Sequence, residues 1–123
     1  MATTQMTEQN FDDIVGSNDI VLIDFWAAWC GPCRSFAPTY ERVAEKHSDI
    51  VFAKVDTEAE QGLAASFNIM SIPTLMIMRE NVVLFSQAGA LPESALNDLI
   101  EKVRELDMQE VHRKVLEQQS ASS

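Results

Sequence analysis

Cysteine is scarce in this sequence, and the two cysteines that it contains, Cys30 and Cys33, are separated by only two residues. A small domain that depends on disulfides for stability needs several bridges across long loops, so this class is excluded. A bridge that closes so short a loop removes little entropy from the unfolded chain. We therefore expect the pair to carry chemistry in which a bond is made and broken, rather than to stabilise the fold.

Long hydrophobic runs and a targeting segment are also missing. The longest apolar stretch, residues 20–30, is interrupted by Asp24 and falls short of the roughly 18 residues that suggest a membrane helix. The first six residues have neither the basic nor the apolar region of a signal peptide. The sequence therefore predicts a cytoplasmic protein with no membrane partner.

Basic residues are few. The chain has 9 Lys and Arg against 19 Asp and Glu, which gives a net charge of −10. Nucleic acids and anionic membranes are bound through basic surfaces, so neither is an expected partner. The length of 123 residues, with 46% hydrophobic and 23% charged residues, is typical of one soluble globular domain.

The order of hydrophobic patterns indicates an α/β fold. Residues 20–27 are apolar on both faces, as in a buried central strand, and strand patterns follow at 50–56, 74–78 and 82–87. Helical patterns cover residues 7–15, 31–47, 60–67 and 92–106, with Asn68 suited to a left-handed helix end. We expect a mixed central sheet of four to five strands, flanked by helices on both faces.

The end of the chain extends beyond this pattern. We expect a domain over residues 1–106 and an extension over residues 107–123, in which the last helix continues to about Gln118 before a disordered tail. Two interpretations of the extension stay open. It is either a solvated helix end or a helix that contacts a partner or a second copy of the chain.

The cysteine pair lies where a strand gives way to a helix. Cys30 follows the apolar strand, and Pro32 suits the first turn of a helix because it has no N–H and a fixed φ. The free N–H groups of a helix start favour a thiolate, which is the nucleophilic form of cysteine. Residues three apart share a helix face with Cα atoms about 5 Å apart, within disulfide range. Both the dithiol and the disulfide are therefore expected to form.

Two other interpretations of the pair are weaker. A zinc site needs four ligands, and His47 and His112 are isolated in the sequence. A pair of inert buried thiols is disfavoured because Gly31 and Pro32 at the junction are expected to leave the first sulfur exposed. We therefore predict no bound metal.

Asp24 is the one charged residue in the buried strand. Burial without a partner would raise the pKa of its carboxyl, and such a group near the thiols can move a proton. The alternative is an aspartate on the polar edge of the strand. Lys54, on the next strand, is either the partner of Asp24 or a surface lysine whose stem lies along apolar surface.

These residues resemble the thioredoxin family between about Phe11 and Leu106. The similarity lies in the run Asp24-Phe25-Trp26-Ala27-Ala28-Trp29-Cys30-Gly31-Pro32-Cys33, and downstream in Ala37-Pro38, Lys54-Val55-Asp56, Ile72-Pro73-Thr74 and Gly89-Ala90. The resemblance implies the thioredoxin fold. Departures from the family pattern are Glu80-Asn81 in place of glycine at the hairpin turn, and Thr57 and Ser71 near the active site.

The resemblance also implies how the site works. Cys30 should attack a target disulfide and Cys33 should resolve the mixed disulfide. Asp24 should exchange a proton with Cys33, with Lys54 counted in the same catalytic set, and Pro73 should follow a cis peptide bond against the cysteines. The residues expected to form the target-binding groove are Trp29, Gly31, Pro32, Ile72 and Gly89.

The function implied is that of a protein-disulfide reductase, an electron carrier in cell redox homeostasis. Its expected partners are proteins with disulfides and an NADPH-dependent flavoprotein thioredoxin reductase, and the chain is expected to be a monomer with no bound cofactor. Gly31-Pro32 is the pair found in reducing members. Two alternatives stay open, namely a disulfide oxidase or isomerase on the same fold and a non-catalytic binding module.

Overall fold

A five-stranded mixed sheet forms the centre of the protein, and its strands lie side by side in the order first, third, second, fourth and fifth along the chain. The computed structural model describes residues 2–122. The strands are β1 Thr3–Gln5, β2 Ile20–Trp26, β3 Val51–Asp56, β4 Thr74–Arg79 and β5 Val82–Ala88, and the helices are α1 Phe11–Ser17, α2 Gly31–Lys46, α3 Gln61–Ser66, α4 Glu93–Glu105 and α5 Met108–Ser122. β1, β3 and β2 run parallel, whereas β4 is antiparallel to β2 and β5.

Helices cover both faces of the sheet, which confirms the predicted fold class. Leu22 of β2 packs into a core shared with α2 and α4, and its neighbour Ile23 packs into a second core shared with α1 and α3. Both side chains are fully buried. Because successive side chains of a strand point to opposite faces, β2 must be apolar at nearly every position.

The first strand and the first helix differ from expectation. β1 was not predicted, because its three residues show no alternation of apolar and polar side chains. It is a strand because it pairs with β3, where Thr4 lies opposite Ala53. The predicted helix start at Thr7 was wrong. The Thr7 N–H donates to Asn10 Oδ1 (2.7 Å) and the Asn10 N–H donates to Thr7 Oγ1 (3.2 Å), so a turn precedes α1, which begins at Phe11.

The turn between β4 and β5 forms without glycine. Glu80 and Asn81 have φ values of 51° and 67°, the left-handed conformation that a two-residue hairpin turn requires at both central positions. Asn68, at the end of α3, also has a positive φ of 55°, as the sequence indicated.

The predicted continuous C-terminal helix was wrong, because the chain forms two helices. α4 ends at Glu105, and the carbonyl of Val103 in its last turn accepts from the N–H of Leu106 at 3.3 Å and from Arg79 Nη1 at 2.9 Å. Asp107 Oδ1 accepts from the N–H groups of Gln109 and Glu110 and so caps the start of a new helix. α5 reaches Ser122, and Ser123 lies outside the described residues. Within residues 2–122, no helix is long and apolar enough to cross a membrane.

Candidate active site

Cys30 and Cys33 form a disulfide at the junction of β2 and α2. Their Cα atoms are 5.2 Å apart, which agrees with the separation expected for residues three apart on a helix. Pro32 occupies the first turn of α2, where a missing N–H costs no hydrogen bond. The local sequence therefore brings the two sulfurs together at the start of α2.

The start of α2 is built to hold a negative charge on the first sulfur. Cys30 is the N-cap residue of this 16-residue helix, and the Cys33 N–H donates to Cys30 Sγ at 3.2 Å. After reduction, this donor and the helix dipole both favour the thiolate of Cys30. Cys30 is only 4% exposed, so the first sulfur is more buried than the sequence indicated.

An apolar groove of about 500 Å³ gives access to the disulfide. Two of its residues project into solvent, since Trp29 is 67% exposed and Met70 is 92% exposed. Cys30 Sγ lies at its edge, 3.8 Å from the carbonyl oxygen of Ile72. The lining residues are Trp29, Cys30, Gly31, Pro32, Thr57, Ala64, Ile69, Met70, Ser71 and Ile72.

Of the five residues expected to form this groove, four line it and Gly89 does not. The Gly89 N–H instead donates to the carbonyl of Pro73 at 2.8 Å. Its φ of 101° suits a residue without a Cβ. The Ile72–Pro73 peptide bond is cis, as the resemblance implied. Gly89 therefore contacts the proline loop through this backbone hydrogen bond and does not line the groove.

Several residues around the groove were not predicted from the sequence, among them Ala64, Ile69, Met70 and Glu58. Glu58 Oε1 accepts a hydrogen bond from Trp29 Nε1 at 2.7 Å. Ile69 and Met70 lie in the loop between α3 and β4, and apolar residues in a loop so near Pro73 were the available signal. Nothing in the sequence pairs Glu58 with a tryptophan 29 positions away.

Asp24 is buried in the sheet at 1% exposure, which excludes the edge position considered above. It lies on the same face of β2 as Leu22, the face that packs against α2. Neither carboxylate oxygen accepts a hydrogen bond from the described residues. Burial raises the pKa of Asp24 from its ordinary 3.8 to about 7, and the positive charge of Lys54 opposes part of that rise. The carboxyl can therefore gain or lose a proton near neutral pH.

Lys54 lies directly across from Asp24 in the pairing of β2 with β3. Its ammonium is 5.0 Å from the ring centroid of Trp26, a cation–π distance. The Asp24 carboxylate accepts no hydrogen bond from it. Lys54 therefore acts on Asp24 through its charge, at longer range than a salt bridge.

The two histidines lie away from the cysteines. His47 faces Asn97 and Arg104, and His112 faces Glu80. Across residues 2–122, no three His, Cys, Asp or Glu side chains are grouped so that they could hold a metal ion.

Known proteins are similar to this chain in sequence and in architecture. Residues 2–102 match the family model described as thioredoxin. A putative thioredoxin 2 from Streptomyces coelicolor is 58% identical over 119 residues, which cover 97% of this chain and 89% of that protein. Thioredoxin from Bacillus subtilis is 37% identical over 103 residues, which cover 83% of this chain and 98% of that protein. A solved mutant thioredoxin from Halobacterium salinarum superposes with a TM-score of 0.79 at 36% identity, covering 85% of this chain and 93% of that one.

Proposed function

The chain belongs to the thioredoxin family, whose members are oxidoreductases that act by dithiol–disulfide exchange, and from this premise we propose that Cys30 and Cys33 are the residues that reduce disulfides in other proteins. The observation that carries the assignment is the Cys30–Cys33 disulfide at the start of α2, beside an apolar groove. A groove of this kind accommodates an extended segment of a target that presents its own disulfide.

The exchange proceeds in two steps. In the dithiol form, the Cys30 thiolate attacks a sulfur of the target disulfide, so that a Cys30–target bond forms, the target bond breaks, and the released target thiolate takes up a proton. Cys33 then loses its proton and attacks Cys30 Sγ, which closes the Cys30–Cys33 bond and releases the second target sulfur, which also takes up a proton. Two electrons pass from the protein to the target. The two released target thiolates take their protons from solvent, which balances the proton that Cys30 lost when it became a thiolate and the proton that Cys33 gives up in the second step.

Asp24 is the proposed proton acceptor for Cys33. Its position under α2 and its pKa of about 7 support this role, since a base titrating near the working pH is the most effective. Lys54 tunes this carboxyl through its charge. Pro73 shapes the loop that ends at Ile72, whose carbonyl lies beside Cys30.

The partners that we propose are proteins with accessible disulfides and an NADPH-dependent flavoprotein reductase that restores the dithiol. We propose that the protein works in the cytoplasm as a monomer, without a bound cofactor. We also propose a division into a domain ending at residue 106 and an extension from residue 107. The family match ends at residue 102, whereas the alignment with the Streptomyces protein, at 119 residues, is too long to leave out the extension.

A turnover assay tests this function. The chain is added in catalytic amount to a protein with accessible disulfides, together with NADPH and a flavoprotein thioredoxin reductase, and NADPH oxidation is followed. We expect NADPH consumption to match the target thiols formed at one NADPH for two thiols, and to stop when the chain is left out. Target disulfides that stay intact while the reductase keeps Cys30 and Cys33 reduced would overturn the proposal.

A further inference from the structure

Beyond this chemistry, and resting on the proposed reductase function, we propose that Glu58 selects targets that carry a lysine or arginine beside the attacked cysteine. Glu58 lies in the turn between β3 and α3, next to Thr57, which lines the groove. Four observations support the inference: the anchoring of this carboxylate, its free oxygen, the charges around the groove and the position of the residue beside the disulfide.

The Glu58 carboxylate is anchored at the rim of the groove. Its Oε1 accepts a hydrogen bond from Trp29 Nε1 at 2.7 Å, and Trp29 directly precedes Cys30. Asp56 also holds this turn in place, because its Oδ1 accepts from the N–H groups of Glu58 at 2.9 Å and Ala59 at 3.4 Å. A charge held in this way recognises a partner at a lower entropic cost than a mobile side chain does.

One oxygen of this carboxylate is available to a partner. Glu58 is exposed, and among residues 2–122 it forms no ion pair, while its Oε2 accepts no hydrogen bond. A guanidinium or ammonium from a docked target could therefore pair with Oε2 while Oε1 keeps its bond to Trp29.

The charges around the groove favour a basic partner. Every lining residue belongs to residues 29–32 or 57–72, and the segments 1–33 and 55–78 contain no Lys, Arg or His. Glu60, in the same turn as Glu58, carries a further negative charge, and its Oε1 accepts from the N–H of Glu8 at 2.9 Å. Arg34, the basic residue nearest in sequence to Pro32, donates to the carbonyl of Ala28 at 2.8 Å, and its Nη2 lies beside Gly31, 4.0 Å from the position that a Cβ would take there. A basic target side chain therefore meets attraction on the Glu58 side of the groove, and an acidic one meets repulsion.

This selection is tested with three disulfide peptides. They differ only in the residue after the attacked cysteine, which is Lys, Ala or Glu. Each peptide is reduced by a catalytic amount of the chain, with NADPH and the flavoprotein reductase restoring the dithiol, and kcat/KM is measured. An exposed ion pair is worth enough to change a rate about two- to fivefold at low salt, so we expect the order Lys, then Ala, then Glu. The differences should shrink in high salt, because salt screens exposed charges.

Two matched variants assign the effect to one residue. Glu58→Gln keeps an oxygen for Trp29 and removes the charge, and we expect it to bring the ratio of kcat/KM for the Lys and Ala peptides to about one. Glu45→Gln removes the same charge near the far end of α2, about 18 Å along the helix from Cys33, and should keep the ratio of the unmodified protein.

Three results would overturn the inference. The first is equal kcat/KM for all three peptides with the unmodified protein. The second is a ratio of kcat/KM for the Lys and Ala peptides that Glu58→Gln leaves unchanged, or that Glu45→Gln lowers as much as Glu58→Gln does. The third is that no peptide is reduced at all, which would remove the reductase function itself and is distinguishable from equal rates.

Discussion

Replacing Cys33 by serine is expected to convert the protein from a catalyst into a trap for its targets. The Cys30 thiolate still attacks, because its helix start and the N–H of residue 33 remain. The mixed disulfide cannot be resolved, since the serine hydroxyl does not displace a thiolate under these conditions. Turnover should be abolished, and a covalent complex that dithiothreitol releases should appear by mass spectrometry in a ratio of one to one.

Cys30→Ser is the matched control for this experiment. It should abolish turnover and form no complex, because Cys33 is absent from the groove lining to which Cys30 belongs. If Cys30→Ser traps targets and Cys33→Ser does not, the roles of the two cysteines are reversed. If the double variant keeps full biological activity, the chain acts as a binding module.

Asp24→Asn is expected to give the largest change in stability. A carboxylate with no hydrogen-bond partner at 1% exposure is costly to ionise. Its pKa lies about three units above the ordinary 3.8, and each unit corresponds to about 1.4 kcal/mol. The amide carries no charge, so the variant should gain up to about 4 kcal/mol in free energy of unfolding at pH 8.

The pH dependence of this gain has a definite sign. The unfolded chain loses the Asp24 proton near pH 4 and the folded chain near pH 7, so between these values the unfolded state binds fewer protons. The free energy of unfolding should therefore fall as the pH rises from 4 to 7. Denaturant titrations should show this fall in the unmodified protein and not in Asp24→Asn. Equal slopes would show that the carboxyl does not titrate as a buried group.

The same substitution should slow the second step of exchange, by about tenfold or more at neutral pH, because Cys33 loses its proton acceptor. Asp98→Asn is a suitable control, since Asp98 is an exposed residue of α4. It should change stability by less than about 0.5 kcal/mol and leave the rate unchanged. A normal rate in Asp24→Asn would remove the proton-transfer role while leaving the stability argument intact.

The parts of the molecule that the sequence predicts well are those with a strong local signal. β2 is apolar on both faces, so its burial and the burial of Asp24 within it could be read from the residues. The junction at Pro32 likewise predicts the helix start and the spacing of the cysteines. In these segments, local preference and tertiary packing favour the same structure.

Features that depend on distant residues were not predicted. β1 exists because β3 pairs with it, and α4 ends where Arg79, 24 residues before Val103, donates to a carbonyl of its last turn. The anchoring of Glu58 by Trp29 and the contribution of Met70 to the groove also join segments far apart in the chain. The break at Asp107 did leave a local signal, a capping residue followed by Glu110.

The reduction potential of the Cys30–Cys33 couple tests the central claim most directly. The protein is equilibrated in dithiothreitol and glutathione buffers, and the fluorescence of its two tryptophans is followed, since Trp29 adjoins Cys30. A protein-disulfide reductase should give one reversible two-electron transition more negative than about −260 mV, the lower end of the cytosolic glutathione poise obtained by biochemical extraction. A potential near about −180 mV or higher would indicate an oxidase or isomerase, and the absence of a reversible transition would contradict a redox function altogether.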